Sequence, residues 1–409
     1  MSIQLIDFTD PAIRLNPYPE YQRMRHDCPL AFDERNNTWY VFRYGDVKTV
    51  ISDSASFSND IAGVLGTAPT PLIHFDPPRH TKQRALINKA FTPKMITALE
   101  ARIGQIVERL LDRASETGHI ELVHDFSAPL PVRVITEMMG IPEEDFARVK
   151  RWADGMAVMV NAISTGKPQV FDGLMEMVQY LSNLVLQRKE APSDDLISAL
   201  WQAQIEGETL DMTDMLGFCM LLYFGGTEST ANLLTTTTAT LLAHPQVLAE
   251  VRRNPALIPA VVEEMLRYRA PSQAVYRMAR HDVELAGQTL RAGQVVVPVA
   301  GSANHDESVF SQPDKFDIYR TPNPHLAFGH GIHFCLGAAL TRIEARVGLT
   351  AILERLGDLR RADDQSLEPL DSYFFYGYKR LPLRFTPAAK SVTGQIASVT
   401  PGTPAPAER

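Results

Sequence analysis

Cysteine is scarce in this chain: Cys28, Cys219 and Cys335 are the only three in 409 residues. They are odd in number and far apart, which excludes a disulfide framework and leaves no zinc-ligand spacing. A reducing cytoplasm suits such usage. Long apolar runs are also missing. The most hydrophobic stretch, Met215 to Gly226, is too short to span a bilayer. The opening residues MSIQLIDFTDPAIRLNPYPEY carry Asp7, Asp10 and three prolines before any such run, so they read neither as a signal peptide nor as an anchor. Positive charge is in deficit, with 40 basic against 48 acidic residues and a net charge of −8. That balance argues against bulk nucleic-acid binding and for simple solubility.

What is present is ordinary for a globular protein: 45% hydrophobic and 22% charged residues, enough for a sizeable core. Length alone allows two or three domains or one large one. Tyr18 to Asp27 reads as a short helix and Thr38 to Phe42 as an aromatic, β-branched strand. Ser54 to Pro78 holds too many glycines and prolines for one element. Its apolar Ile61, Val64, Leu65, Leu72 and Ile73 nevertheless suit a cavity wall. A helix resumes from His80 to Phe91, with His80 and Arg84 on one face. Glu100 to Gln204 is dominated by helical periodicity. Among its methionines, Met156, Met159, Met175 and Met177 read as core with an adaptable ligand-facing surface as the alternative.

Thr213 to His244 lacks proline and reads as one helix of 32 residues. Gly225 and Gly226 at its centre cost about 1 kcal/mol each relative to alanine. They call for a reason, either close helix packing or close approach of a flat cofactor and a bound gas. Glu264 and Arg267 stand three apart on a later helix. Val283 to Leu285 and Gln294 to Val299, around Gly287 and Gly293, read as a hairpin.

Cys335 is the residue to explain. Taken alone, an isolated cysteine is usually an inert, small buried hydrophobe. Here Gly329 and Gly331 free the backbone to turn amides toward one sulfur, and a helical pattern starts at Leu336 with Leu340, Ile343, Val347 and Leu349 among Arg342, Glu344 and Arg346. A helix N-terminus and its amides favour thiolate over thiol.

The decapeptide FGHGIHFCLG resembles the haem-ligand loop of the cytochrome P-450 superfamily at Phe328, Gly329, Gly331, His333, Cys335 and Gly337. The resemblance runs from about Asn16 to Phe385. It takes in, in order, the His-Thr-x-x-Arg helix, the long glycine-centred helix, the Glu-x-x-Arg pair and the cysteine loop. It implies a mainly α fold: a triangular helical prism with a small β-rich lobe, and haem between the long central helix and the cysteine-ligand helix. Residues 1–386 would be one catalytic domain and 387–409, rich in Pro, Ala, Ser and Thr, a disordered tail.

The resemblance further implies haem b with Cys335 as thiolate ligand, which favours O–O cleavage. His80, Arg84, Arg277 and His333 would hold the propionates, with Phe328, Gly329 and Gly337 shaping the loop. Glu264, Arg267 and Arg320 would form a buried structural network, Lys315 being the alternative third member. His305 stands where the family more usually has arginine. Gly225, Gly226, Glu228 and Ser229 would serve oxygen activation, Ser229 replacing the usual threonine and Thr230 facing elsewhere. An apolar substrate would meet Ile61, Val64, Leu65, Leu72, Ile73, Leu222, Val275 and Phe374 or Phe375.

The implied reaction is insertion of one atom of O2 into a mid-sized apolar molecule. No flavin or nicotinamide domain is appended, and three cysteines cannot hold an iron–sulfur cluster beside haem. A separate ferredoxin and reductase are therefore implied, meeting Arg79, Lys82, Lys89, Arg342 and Arg346. The protein is expected to be a monomer without nucleic-acid or membrane partners. The acid–alcohol pair Glu228–Ser229 argues against a peroxide-driven enzyme and against a haem sensor or carrier.

Overall fold

The computed structural model describes residues 5–61, 71–115, 117–164 and 173–387. Val64, Leu65 and the tail beyond Pro387 lie outside these residues. Helices dominate, and local chemistry sets their ends. Asp195 and Asp211 accept from the Ser198 and Asp214 amides at 2.8 and 2.7 Å and so open Leu196–Gln202 and Met212–Gly226. Prolines occupy the first turns of Pro129–Met138, Pro245–Arg253 and Ile258–Tyr268, where the missing amide would be unpaired in any case.

The long central helix is interrupted. Met212–Gly226 and Glu228–Ala243 meet at Thr227, which corrects the expectation of one continuous helix. Thr227 Oγ1 donates to the Tyr223 carbonyl at 2.6 Å, and Ser229 Oγ donates to the Gly225 carbonyl at 2.9 Å. Hydroxyls bonded back to the carbonyl four residues earlier compete with the helix's own amides and bend it. The two glycines beside them answer to different constraints. A Cβ on Gly226 would come within 2.7 Å of Ile135 Cδ1, so that glycine serves close packing against Pro129–Met138. Gly225 has only Leu221 Cδ1 of its own helix near, at 3.8 Å, and its surface is open.

Ala338–Arg355, the helix after Cys335, packs on Pro93–Ser115, Glu228–Ala243 and Ile258–Tyr268. Gly348 lets it approach closely, since a Cβ there would sit 3.0 Å from Leu234 Cδ2. These helices share the largest apolar core. A second cluster, rich in rings, gathers Tyr18, Tyr21, Phe42, Phe374, Tyr376 and Tyr378.

The main sheet joins distant parts of the chain. Strands β1 (Leu30–Asp33), β2 (Thr38–Val41), β3 (Phe57–Ser58), β4 (His119–Glu121), β5 (Arg277–Ala279), β6 (Val283–Leu285), β7 (Gln288–Leu290) and β8 (Val295–Pro298) are followed by β9 (Leu356–Arg361) and β10 (Pro382–Pro387). The largest sheet has the order β1-β2-β8-β5-β3, with β2 and β8 parallel and Val41 opposite Pro298. Sequence reading paired 283–285 with 294–299. Instead β6 pairs with β7, because Ala286 and Gly287 both take positive φ (48° and 77°) and close a two-residue turn. That leaves β8 free to bridge β2 and β5.

The helix Ile258–Tyr268 carries a wholly buried ion pair, Glu264 with Arg267. Arg267 Nε and Nη2 donate to Glu264 at 2.9 and 2.8 Å, and its remaining donors reach the carbonyls of Asn304, Pro313 and Lys315. Arg320 Nε donates to Glu264 Oε1 at 3.2 Å, whereas Lys315 contributes only its carbonyl. His305 is held between the Tyr268 carbonyl (3.0 Å) and Asp314 (2.9 Å) and packs on the Tyr18 ring. Burial pushes its pKa down to about 4, while the hydrogen bonds to Asp314 and the Tyr268 carbonyl pull against it.

Candidate active site

Cys335 is held by a loop that only glycine can trace at two points. Gly329 and Gly331 have φ of 70° and 73°, and a Cβ on Gly331 would press to 3.3 Å on Ser52 Cα. The Cys335 amide donates to the Phe328 carbonyl at 2.9 Å and closes the loop. The sulfur lies three residues before Ala338–Arg355, where the Gly337 and Ala338 amides turn toward it. Burial pushes the thiol pKa up, and those amides, Arg84 and Arg342 pull against it. Phe328 is roofed by the Arg342 guanidinium, 4.6 Å from its ring, and Arg342 is in turn fixed by two hydrogen bonds to Glu263.

Beside the loop stand donors without acceptors. The His80 and His333 rings lie 4.0 Å apart. Both nitrogens of His80 and Nε2 of His333 are buried and make no hydrogen bond within the protein. Burial drives the His333 pKa to about 3, with His80, Arg277 and Arg84 adding to the effect. Arg277 is buried, has one hydrogen bond to the Tyr276 carbonyl, and is lowered to about 10 by desolvation. Arg84 spends one donor on the Phe334 carbonyl at 2.7 Å, tying its helix to the cysteine loop. Buried donors in such number want a multiply charged acceptor. The paired propionates of haem, beside a cysteine sulfur, fit this donor set.

The other candidate residues lie on the interrupted helix, whose second half packs against Ala338–Arg355. Glu228 shares a small cavity with Ala153, Met156, Tyr223, Phe224, Thr227 and Phe375. Burial raises its carboxyl pKa, the Asn232 amide lowers it, and Asp154 raises it; no cation is among these causes. Ser229 is partly exposed, whereas Thr230 is buried and turned to Glu344 on the cysteine helix.

Glu344 was missed by sequence reading and is 1% exposed, with Oε1 lacking any hydrogen bond. Burial lifts its pKa to about 8. The folded protein therefore keeps a proton that the unfolded chain loses above about pH 4.5. The stability this gives is complete below that pH and is lost as pH rises toward 8. Glu344→Gln should melt higher than the parent at about pH 9, with the gap closing toward about pH 5. Parallel melting curves for the two proteins across that range would overturn the assignment.

The expected substrate wall is only partly gathered. Phe374 turns into the ring cluster, 4.5 Å from Tyr276 and 4.2 Å from Tyr373, while Phe375 meets the Glu228 cavity. Ile61 and Leu72 are buried, Ile73 and Leu222 half-buried, and Val275 exposes 38% of its surface. Met156 lines the cavity, Met177 is core and Met175 is exposed, so the methionines are divided. Sequence reading offered no signal for Ala153 or Phe224.

The basic surface expected to receive a ferredoxin is already engaged. Arg79 pairs with Asp214, Lys82 with Glu208, Arg342 with Glu263 and Arg346 with Glu100, while Lys89 donates to the Gln204 carbonyl. Four of the five cations thus have acidic partners, and Lys89 keeps its charge.

A cysteine loop, an acceptor-seeking donor set and a glycine-containing helix are the parts of a haem-thiolate protein. Comparison with known proteins agrees. The family model described as Cytochrome P450 matches residues 15–357. The putative cytochrome P450 YjiB of Bacillus subtilis (strain 168) is 38% identical over 369 residues, covering 89% of this chain and 92% of that protein. The structure of cytochrome P450 CYP109Q5 from Chondromyces apiculatus superposes with a TM-score of 0.87 at 38% identity, covering 94% and 98%. That of CYP109E1 from Bacillus megaterium in complex with testosterone gives 0.83 at 39%, covering 90% and 99%. The chain belongs to the cytochrome P450 family. With it come the P450 fold, the oxidoreductase class and haem b held through a cysteine thiolate. Among the described residues no helix is long and apolar enough to cross a membrane.

Proposed function

We propose that this chain is a cytoplasmic monooxygenase that inserts one atom of O2 into a mid-sized, largely apolar molecule, with Cys335 as the iron ligand. What supports the substrate class is the uncharged lining beside Glu228, from Ala153, Met156, Tyr223, Phe224, Thr227 and Phe375, around a niche of about 10 Å³ that would flank a larger molecule rather than enclose it. An organic acid would meet no fixed cation there and would lose its hydration uncompensated. CYP109E1, whose structure holds testosterone, is a relative of this kind. Haem supplies activation of O2 when bound. His80, Arg84, Arg277 and His333 would hold its propionates, with Arg84 also tying its helix to the cysteine loop. Glu228 and Ser229 would move protons within the site, an acid and a short hydroxyl acting through ordered water. Electrons come from a separate ferredoxin and reductase, which would meet the surface of Arg79, Lys82, Lys89, Arg342 and Arg346.

The test is a screen by the haem absorption shift, followed by turnover with a surrogate ferredoxin and reductase. Steroids, terpenoids and fatty acyl chains should shift the band, and small aromatic carboxylates should not. With a ligand that does, Ser229→Ala should keep binding but divert electrons into hydrogen peroxide, lowering product per reduced nicotinamide. Unchanged coupling in Ser229→Ala with impaired coupling in Thr230→Ala would show that the other hydroxyl does the work. A screen answered only by acids would overturn the substrate class.

A further inference from the structure

Glu228 is held unlike an ordinary buried acid. No cation faces it, and Asp154 and the Tyr223 ring are its titratable neighbours. The one side-chain hydrogen bond described to its carboxyl comes from Asn232, one turn further along the helix, with Nδ2 at 3.4 Å from Oε1. Asn232 is 6% exposed, so its amide cannot turn to solvent instead.

The other side of that amide is closed by Gly377. A Cβ built on Gly377 would fall 2.3 Å from Asn232 Oδ1, 2.6 Å from its Cγ and 3.0 Å from Leu370 Cδ1. No side chain fits there without displacing Asn232. Gly377 has no left-handed φ to explain it, so contact with Asn232 is the reason for glycine at this point. The turn it belongs to is firmly fastened. Phe374 and Phe375 amides donate to Ser372 Oγ at 3.2 Å, the Gln273 amide donates to the Phe374 carbonyl, the Tyr376 amide to Pro271, and the Leu370 amide to Gly377. The same turn carries Phe375, which meets Glu228 across the small cavity.

We infer that Asn232 is the positioning residue for the Glu228 carboxyl and that the turn 372–377 sets Asn232 in place, so that a wall meeting substrate and the proton-delivering acid form one mechanical unit. A ligand that presses on Phe375 bears on the turn that seats Asn232. The acid is then aligned to the substrate side of the pocket rather than to bulk solvent. This rests on the reading of Glu228 as the proton donor.

Infrared difference spectra of the haem-loaded protein test it, with the Glu228 carboxyl C=O band identified by its loss in Glu228→Gln. Asn232→Leu should move that band to higher frequency and let it persist about one pH unit higher, because a donor to the carboxylate form is gone. Gly377→Ala should move it in the same way, and the double variant no further than either single one. With a ligand from the screen, kcat should fall about tenfold in each variant while KM stays within about twofold, as for a misaligned acid. A band unmoved in Asn232→Leu, or single effects that add, would overturn the inference. Should Gly377→Ala not fold, Asn232→Ser removes the amide donor by a second route and is read by the same band. Normal coupling in Glu228→Gln would overturn the proton-donor reading, while the infrared arm would still decide the positioning.

Discussion

Cys335→Ser should abolish the long-wavelength Soret band that the reduced, carbon monoxide-bound protein shows with a thiolate ligand, and monooxygenase turnover with it. A serine hydroxyl stays protonated where a cysteine can ionise, and it lacks the soft, electron-rich donor that favours O–O cleavage. The other two thiols cannot substitute. Cys219 is 1% exposed inside the apolar core, with its pKa pushed up to about 12 by burial. Cys28 ends the helix Tyr18–Asp27 and donates to the Leu30 carbonyl at 3.3 Å. Only Cys335 lies on a glycine-turned loop beside the orphaned donors of His80 and His333. The variant should still fold, since Ser fits the Cys volume, and its circular dichroism melt should confirm that. A thiolate-type band surviving in Cys335→Ser would overturn the ligand assignment.

Arg267→Ala should be the most destabilising single change outside the haem site, costing about 3–5 kcal/mol. The pair with Glu264 is wholly buried, and every Arg267 nitrogen has an acceptor. Removing the guanidinium strands a carboxylate and leaves three carbonyls with less than their share of donors. Arg267→Lys should recover little, because an ammonium cannot span Glu264 and three separate carbonyls. Arg320→Ala should cost less, since it takes away only one of the donors to Glu264. Denaturant melts of the haem-loaded variants measure the order, and an Arg267→Ala midpoint close to the parent's would refute it.

Much of this was legible in the chain and some was hidden for definite reasons. Tyr18–Asp27 emerges with the ends its residues suggested, because proline before it and a periodic face define it locally. The cysteine loop was legible because glycine spacing and a following helix are sequence-local signals. The break at Thr227 was not. Apolar periodicity runs through it, and the cause is a pair of hydroxyls that could equally have pointed outward. Glu344 was misleading for a geometric reason: it sits midway between Arg342 and Arg346, so it faces the opposite side of the helix from the arginines it seemed to accompany. The pairing of β8 with β2 and the acidic partners of Arg79 and Arg346 depend on contacts between remote segments, to which local patterns are blind.

The parallel pairing of β2 with β8 also bears on how the protein is made. Val41 waits for Pro298, more than 250 residues later, before its strand has that neighbour. At about 5–20 residues per second this is roughly 13–50 s during which the β1–β2 hairpin can offer its unpaired edge to other chains. Trp39 and Phe32, with ring centres 4.7 Å apart on that hairpin, are then short of the neighbour that residues 295–298 will bring. A chaperone that shields nascent chains over that interval should therefore raise the yield of soluble protein.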